Sequence, residues 1–144
     1  MAYFDIKQVN LSLNTRAITG LTTDNDAITL KSNKDAGAWT MGANGSGVWT
    51  ANSDTSGTLT LKLVQNHPDN AWLSQQFALQ RNDLRAFMPF ALVIRDLLNN
   101  DLVMASNGMF STPLTFTRGA QPNVSLWTIA FESVQLTLAP GYGN

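Results

Sequence analysis

Few residues in this chain could run a reaction. It has one histidine, His67, nine aspartates, one glutamate and no cysteine. Most nucleophile–base pairs need a histidine, and His67 stands beside Pro68 at what reads as a helix start. In that position it reads as a loop or cap residue. Paired acids for glycoside chemistry would have to come from the aspartates and Glu132. Asp24 and Asp26 lie in a polar run where aspartate favours turn geometry. Glu132, among Phe131, Val134 and Leu136, reads as a partly buried salt-bridge partner. A hydrolase would have to be built from His67 and these scattered aspartates, and no spacing assembles them.

Metal and phosphate chemistry fare no better. Asp24-Asn25-Asp26 begins like a calcium loop, but Ile28 occupies the next ligand position, Thr29 the glycine position and Asp35 the bidentate glutamate position. Without cysteine there is no thiolate site. Gly42, Gly45 and Gly47 are spaced like a phosphate loop, yet no Lys-Ser/Thr follows and the context is a hairpin. Glycosylation sequons at 10–12, 44–46 and 123–125 carry no meaning without a secretory leader. The expectation is no catalytic residue, no cofactor and no metal.

The elements that would position such residues point the same way. The 144 residues form one domain, 1–144, by the usual size prior. A domain of that length buries enough surface to need no staple. Charged residues are only 13% of the chain and the net charge is −1. Lys7, Arg16, Lys31, Lys34, Lys62, Arg81, Arg85, Arg95 and Arg118 are scattered singly. A nucleic-acid gripper carries a basic stripe to displace counterions, and none is present. The N-terminal residues lack the pattern of a cleaved leader. The longest apolar stretch, 87–94, contains Pro89 and falls far short of the roughly 20 residues that span a bilayer. A soluble protein without a membrane partner is expected.

Turn residues recur at short intervals, which favours a β-rich fold. Strands are expected at 6–14, 17–21, 27–32 and 58–64, the last with Leu59, Leu61 and Leu63 alternating against Thr58, Thr60 and Lys62. Period-two alternation of this kind marks a half-buried strand. One helix of about three turns is expected at 71–82, after capping residues at 66–70. It would pack by Leu73 and Phe77, with Gln75, Gln76 and Arg81 on the wetter side. Further strands are expected at 90–95, 97–106, 109–117 and 124–138, with turns at Asn99-Asn100 and Asn107-Gly108. The final strand carries apolar residues at even positions (Val124, Leu126, Ala130, Val134, Leu136, Leu138) and at the odd positions Trp127, Ile129 and Phe131. The fold class is mainly β with one α-helix, a sandwich or barrel with a protruding β-hairpin arm.

That arm, 37–50, is the most informative segment. Asn44-Gly45 favours a hairpin turn because both residues tolerate positive φ. Two arms of similar text, Gly37-Ala38-Trp39-Thr40 and Gly47-Val48-Trp49-Thr50, flank it. A two-residue loop would pair Trp39 with Thr50 and point the tryptophans to opposite faces. A loop one residue longer would set Trp39 against Trp49. A bare two-stranded ribbon with two tryptophans is marginal in water and prone to aggregate. Either the body of the domain covers it or a neighbouring subunit does, and tryptophan is enriched at interface hot spots. A third reading makes Trp39, Trp49 and Tyr142 the stacking platform of a monomeric ligand- or glycan-binding barrel.

Several blocks resemble the tail tube proteins of contractile-tailed bacteriophages. They are the opening Ala2-Tyr3-Phe4-Asp5-Ile6-Lys7-Gln8-Val9, then Gly42-Ala43-Asn44-Gly45, then Ser56-Gly57-Thr58-Leu59-Thr60-Leu61-Lys62-Leu63 leading into Asn70-Ala71-Trp72-Leu73. Val93-Ile94-Arg95-Asp96-Leu97, followed by Asn99-Asn100-Asp101 and Leu102-Val103, completes the set. The sparsely charged, tryptophan-containing arms depart from the family's pattern. The resemblance implies a virion subunit made in the host cytoplasm, with six copies forming a ring and rings stacking into a tube. A sheath would lie outside, baseplate and tail terminator proteins at the ends, and DNA would pass through the lumen without specific binding. The arm, with Trp39, Met41, Asn44, Gly45, Val48 and Trp49, is the candidate stacking contact. A baseplate or tail-completion ring protein of the same particle shares these features.

Overall fold

The computed structural model describes residues 3–140. Seven strands form one antiparallel sheet in the order β2-β1-β7-β8-β9-β6-β3, and β4 and β5 form a separate two-stranded ribbon. The strands are β1 (Val9–Leu13), β2 (Arg16–Ala17), β3 (Ile28–Ser32), β4 (Gly37–Met41), β5 (Gly47–Ala51), β6 (Gly57–Leu63), β7 (Phe90–Asp96), β8 (Leu102–Thr112) and β9 (Ser125–Thr137). A single helix, α1 (Pro68–Asn82), joins β6 to β7. The fold is therefore mainly β with one helix. Its sheet remains open, with β2 and β3 as unjoined edges. It is nonetheless strongly curled, since one cleft is lined both by Val9 and Ile94 from β1 and β7 and by Ile28 and Leu30 from the opposite edge strand.

The core lies on one face of this sheet. In β6 every second residue is buried, with Leu59, Leu61 and Leu63 fully so. Each such leucine contributes roughly 1.5–3 kcal/mol relative to exposure. In β9 the odd positions Trp127, Ile129 and Phe131 enter the core, while Leu126 and Leu136 remain exposed. The cross-strand pairs Leu61↔Trp127 and Leu59↔Ile129 align the two sets on the same side. Phe87, Phe90, Phe110 and Trp127 meet in tilted and edge-to-face contacts at centroid distances of 5.3–6.5 Å, arrangements that add to burial.

The helix begins three residues earlier than periodicity predicts. His67 is its N-cap, its Nδ1 accepting from the Asp69 N–H at 3.1 Å, and Pro68 takes the first helical position, where its missing N–H costs nothing. Leu73 is buried, and Gln80 holds the helix to β8 through both Phe110 backbone groups.

Four expectations need correction. Residues 6–8 form a single 3-10 turn capped by Asp5, not the start of a strand. The strand expected at 17–21 stops at Ala17, because the Asp69 carboxylate takes the N–H groups of Thr19 and Gly20 at 2.8 and 3.0 Å. Asn107-Gly108 is no turn. β8 runs straight through it with a bulge against β7, where Leu92↔Ala105 gives way to Phe90↔Gly108. Asn107 takes φ 56° there, and the Phe131 ring sits where a Gly108 Cβ would be. Glu132 is exposed and accepts a hydrogen bond from the Asn107 amide at 2.8 Å, so it is no buried ion-pair partner.

Candidate functional site

The acid–base groups best placed for chemistry, Asp69, His67 and Asp96, are held in structural contacts. Asp69 is 2% exposed and anchors the helix start to the 16–20 segment: besides Thr19 and Gly20 it receives the Arg16 guanidinium at 3.1 Å. His67 packs its ring against Gly20, where a Cβ would come within 2.6 Å of Nδ1. Asp96 closes the β7–β8 turn, accepting from the backbone N–H groups of Leu98 and Asn99 and from the Asn99 side chain. Burial opposes its ionisation, but the Asn99 amide and the two N–H groups outweigh that and hold its pKa below the ordinary 3.8. Among the described residues no three His, Asp or Glu side chains gather as a metal set.

The residue set that remains without a structural task is the β4–β5 ribbon. Its register pairs Gly37↔Ala51, Ala38↔Thr50, Trp39↔Trp49, Thr40↔Val48 and Met41↔Gly47. Of the two registers open to the sequence, the structure takes the longer loop. Gly42 donates to the Ser46 carbonyl, Gly45 donates to the Gly42 carbonyl, and Gly45 has φ 84°. This is a three-residue loop with glycine in the left-handed position. The Asn44 Oδ1 accepts from the Ser46 N–H at 3.1 Å and tightens it.

Because Trp39 and Trp49 are directly opposed, their side chains share one face, and the rings meet edge to face with centroids 5.3 Å apart. Met41 joins them there, two residues on from Trp39. Gly37 and Gly47 make room. A Cβ on Gly37 would lie 2.6 Å from the Trp49 ring, and one on Gly47 would lie 2.7 Å from the Met41 sulfur and 3.0 Å from the Trp39 ring. The opposite face carries only Ala38, Thr40, Val48 and Thr50. Sequence reasoning missed the role of these two glycines, although the repeated Gly-x-Trp-Thr text was the sign of it: each strand sets its tryptophan over the other strand's glycine.

The body covers neither face: Trp39, Met41 and Trp49 on one are 64%, 61% and 48% exposed, and Val48 on the other is 67% exposed. The other two tryptophans behave differently: Trp127 is buried with its Nε1 on the Asn70 side-chain oxygen, and Trp72 packs on Phe90. The ribbon is tied at its base, where the Asn52 N–H donates to the Ala36 carbonyl and Asn33 bonds Ser56. Among the described residues no aromatic pocket forms around the two exposed indoles, which lie on an open ribbon, and Tyr142 falls outside the described residues.

The family model described as Bacteriophage PhiTE tail tube protein matches residues 6–139, which takes in the sheet, the helix and the whole arm. The chain belongs to that family. This tail tube family member is accordingly a phage tail structural component. No curated protein matches it. Among solved structures it is similar to the anti-feeding prophage cap, described as a tube-terminating cap, with a TM-score of 0.62 over 96% of this chain and 93% of that chain at 14% identity. At that identity the likeness is one of fold.

Proposed function

We propose that this tail tube family member is the repeating subunit of a contractile tail tube, acting by self-assembly and not by catalysis. Six copies would form a ring and rings would stack around a channel that conducts DNA, with a sheath outside and baseplate and terminator proteins at the ends. The observation that carries this reading is an apolar arm left uncovered by its own domain in a member of a tail tube family. Such a ribbon is an aggregation hazard unless a partner buries it. The channel reading is supported by the charge pattern. Nine separated cations and a net charge of −1 give phosphates no stripe to bind. The chain would be made in the host cytoplasm and function in the virion.

The test is removal of 41–48. The truncated protein should melt as the intact one does, because β4 and β5 pair only with each other, and should form no tubes by negative-stain microscopy. A full-length protein that stays monomeric at all concentrations would end this reading. The likeness to a tube-terminating cap supports a second reading, a tail-completion ring of the same particle. Counting copies per particle separates the two.

A further inference from the structure

The proposed arm needs a seat, and the same chain offers one. A cleft of about 340 Å³ opens within the curl of the sheet, between β3 and residues of β1, β7 and β8. Its apolar lining includes Phe4, Ile6, Ile28, Leu30, Ile94 and Leu138. Phe4 and Leu138 at its margin are 69% and 68% exposed, and Ile6 is 49% exposed. No residue of the arm lines it.

The cleft and the arm are joined through β3. Asp24, Asn25, Ala27 and Ile28, at the cleft, lead into β3, while the arm leaves after β3 ends at Ser32. Charge agrees with a match between them. No charged residue occurs from 36 to 53. The acids at the cleft are already engaged or stand at its rim: Asp96 within its turn, Asp101 on the Ala139 N–H at 2.8 Å, and Asp24 with the Thr22 hydroxyl at 3.2 Å. An uncharged aromatic ribbon therefore enters without stranding a buried charge.

Resting on the tube reading, we propose that the Trp39–Met41–Trp49 face of one copy docks into the Phe4–Ile6–Leu138 cleft of a second copy. Arm and cleft are different surfaces of one chain, so the contact is heterologous. A contact of that type leaves a free arm at one end and a free cleft at the other, and it propagates instead of closing on itself. That is the symmetry a stacked tube requires along its axis.

Complementation tests this directly. One variant lacks 41–48 and keeps the cleft. The other, Phe4→Asp with Leu138→Asp, keeps the arm and alters only exposed positions. Each should fold, shown by far-UV circular dichroism and an unshifted melt, and neither should polymerise alone. Mixed in equal amounts, they should form a complex through the one intact arm–cleft pair and stop without tubes, as read by sedimentation velocity. Tubes formed by the Phe4→Asp/Leu138→Asp variant would overturn the cleft and leave the tube reading intact. Dimers of that variant by itself would overturn it in favour of arm-to-arm packing. No complex in the mixture, at concentrations well above the threshold for wild-type tubes, would place the seat elsewhere. Wild-type protein that never assembles would remove both readings.

Discussion

At the scale of single residues, the carboxylates of Asp69 and Asp96 hold structure through several hydrogen bonds each, and their removal should register as lost stability. Asp69 is the plainest case. Truncating it strands the N–H groups of Thr19 and Gly20 and frees the Arg16 guanidinium. Asp69→Ala should cost about 2–3 kcal/mol in urea unfolding, the penalty for buried donors left unpaired. Asp69→Asn, which keeps one acceptor oxygen, should cost less. Asp96 links folding to pH. Its folded pKa is lowered, so its contribution is fully present above the ordinary value of 3.8 and is lost as pH falls through the lower folded value. Melting temperature followed downward from pH 5 should fall more steeply in the wild type than in Asp96→Asn. Gly108 tests packing. A methyl group there meets the Phe131 ring, and Gly108→Ala should destabilise by roughly 1–3 kcal/mol, the usual range for overpacking.

Elements divide into those that build the core and the one that does not. β6 and β9 fill the core with alternating large side chains, so any lost methylene is felt there. The β4–β5 ribbon makes no comparable contact, and its energetics are local. The Trp39–Trp49 pair, at 5.3 Å and an interplanar angle of 62°, stabilises the ribbon by about 0.5–1.5 kcal/mol beyond burial. Trp39→Ala and Trp49→Ala should therefore leave the global melt unmoved, since exposed positions away from the core shift stability by only about 0.5 kcal/mol. Both should abolish the assembled species seen by sedimentation. Gly47→Ala should act on the same element by displacing the Met41 and Trp39 side chains, visible as a changed near-ultraviolet tryptophan signal in a protein of unchanged melting temperature.

For the whole molecule, the size of the contact sets the behaviour of the assembly. One indole can bury roughly 150–250 Å², so two half-exposed indoles fall far short of the roughly 800 Å² per partner in a standard interface. A single arm-in-cleft contact is weaker than a standard interface, so the mixed variants should associate only well above the concentration at which the wild type grows, and wild-type growth should show a sharp concentration threshold because several contacts per copy must form together. The arm carries no charge, so raising sodium chloride should leave assembly intact, whereas contacts between surface charges would be screened within about 10 Å at 0.1 M. Sedimentation across a salt series reads this out. Dissolution at high salt would show that ion pairs, not the arm, hold the tube.

The sequence alone determined the local and periodic features. The alternation of Leu59, Leu61 and Leu63 made β6 certain to be half-buried, and Pro68 beside a capping residue marked the helix start. The repeated Gly-x-Trp-Thr text around Asn44-Gly45 marked the hairpin, and the scarcity of charge and histidine argued against chemistry. These are properties of neighbours in the chain, so the chain displays them. Tertiary structure decided the rest. β9 carries apolar residues on both faces, and only its pairing with β6 chose Trp127, Ile129 and Phe131 for the core. The 17–21 strand was cut short by a carboxylate fifty residues away. Asn107-Gly108 became a bulge within β8, with the Phe131 ring in the space a Gly108 Cβ would fill. The Trp39–Trp49 register turned on one residue of loop length, and side chains on a strand change faces with every one-residue slip.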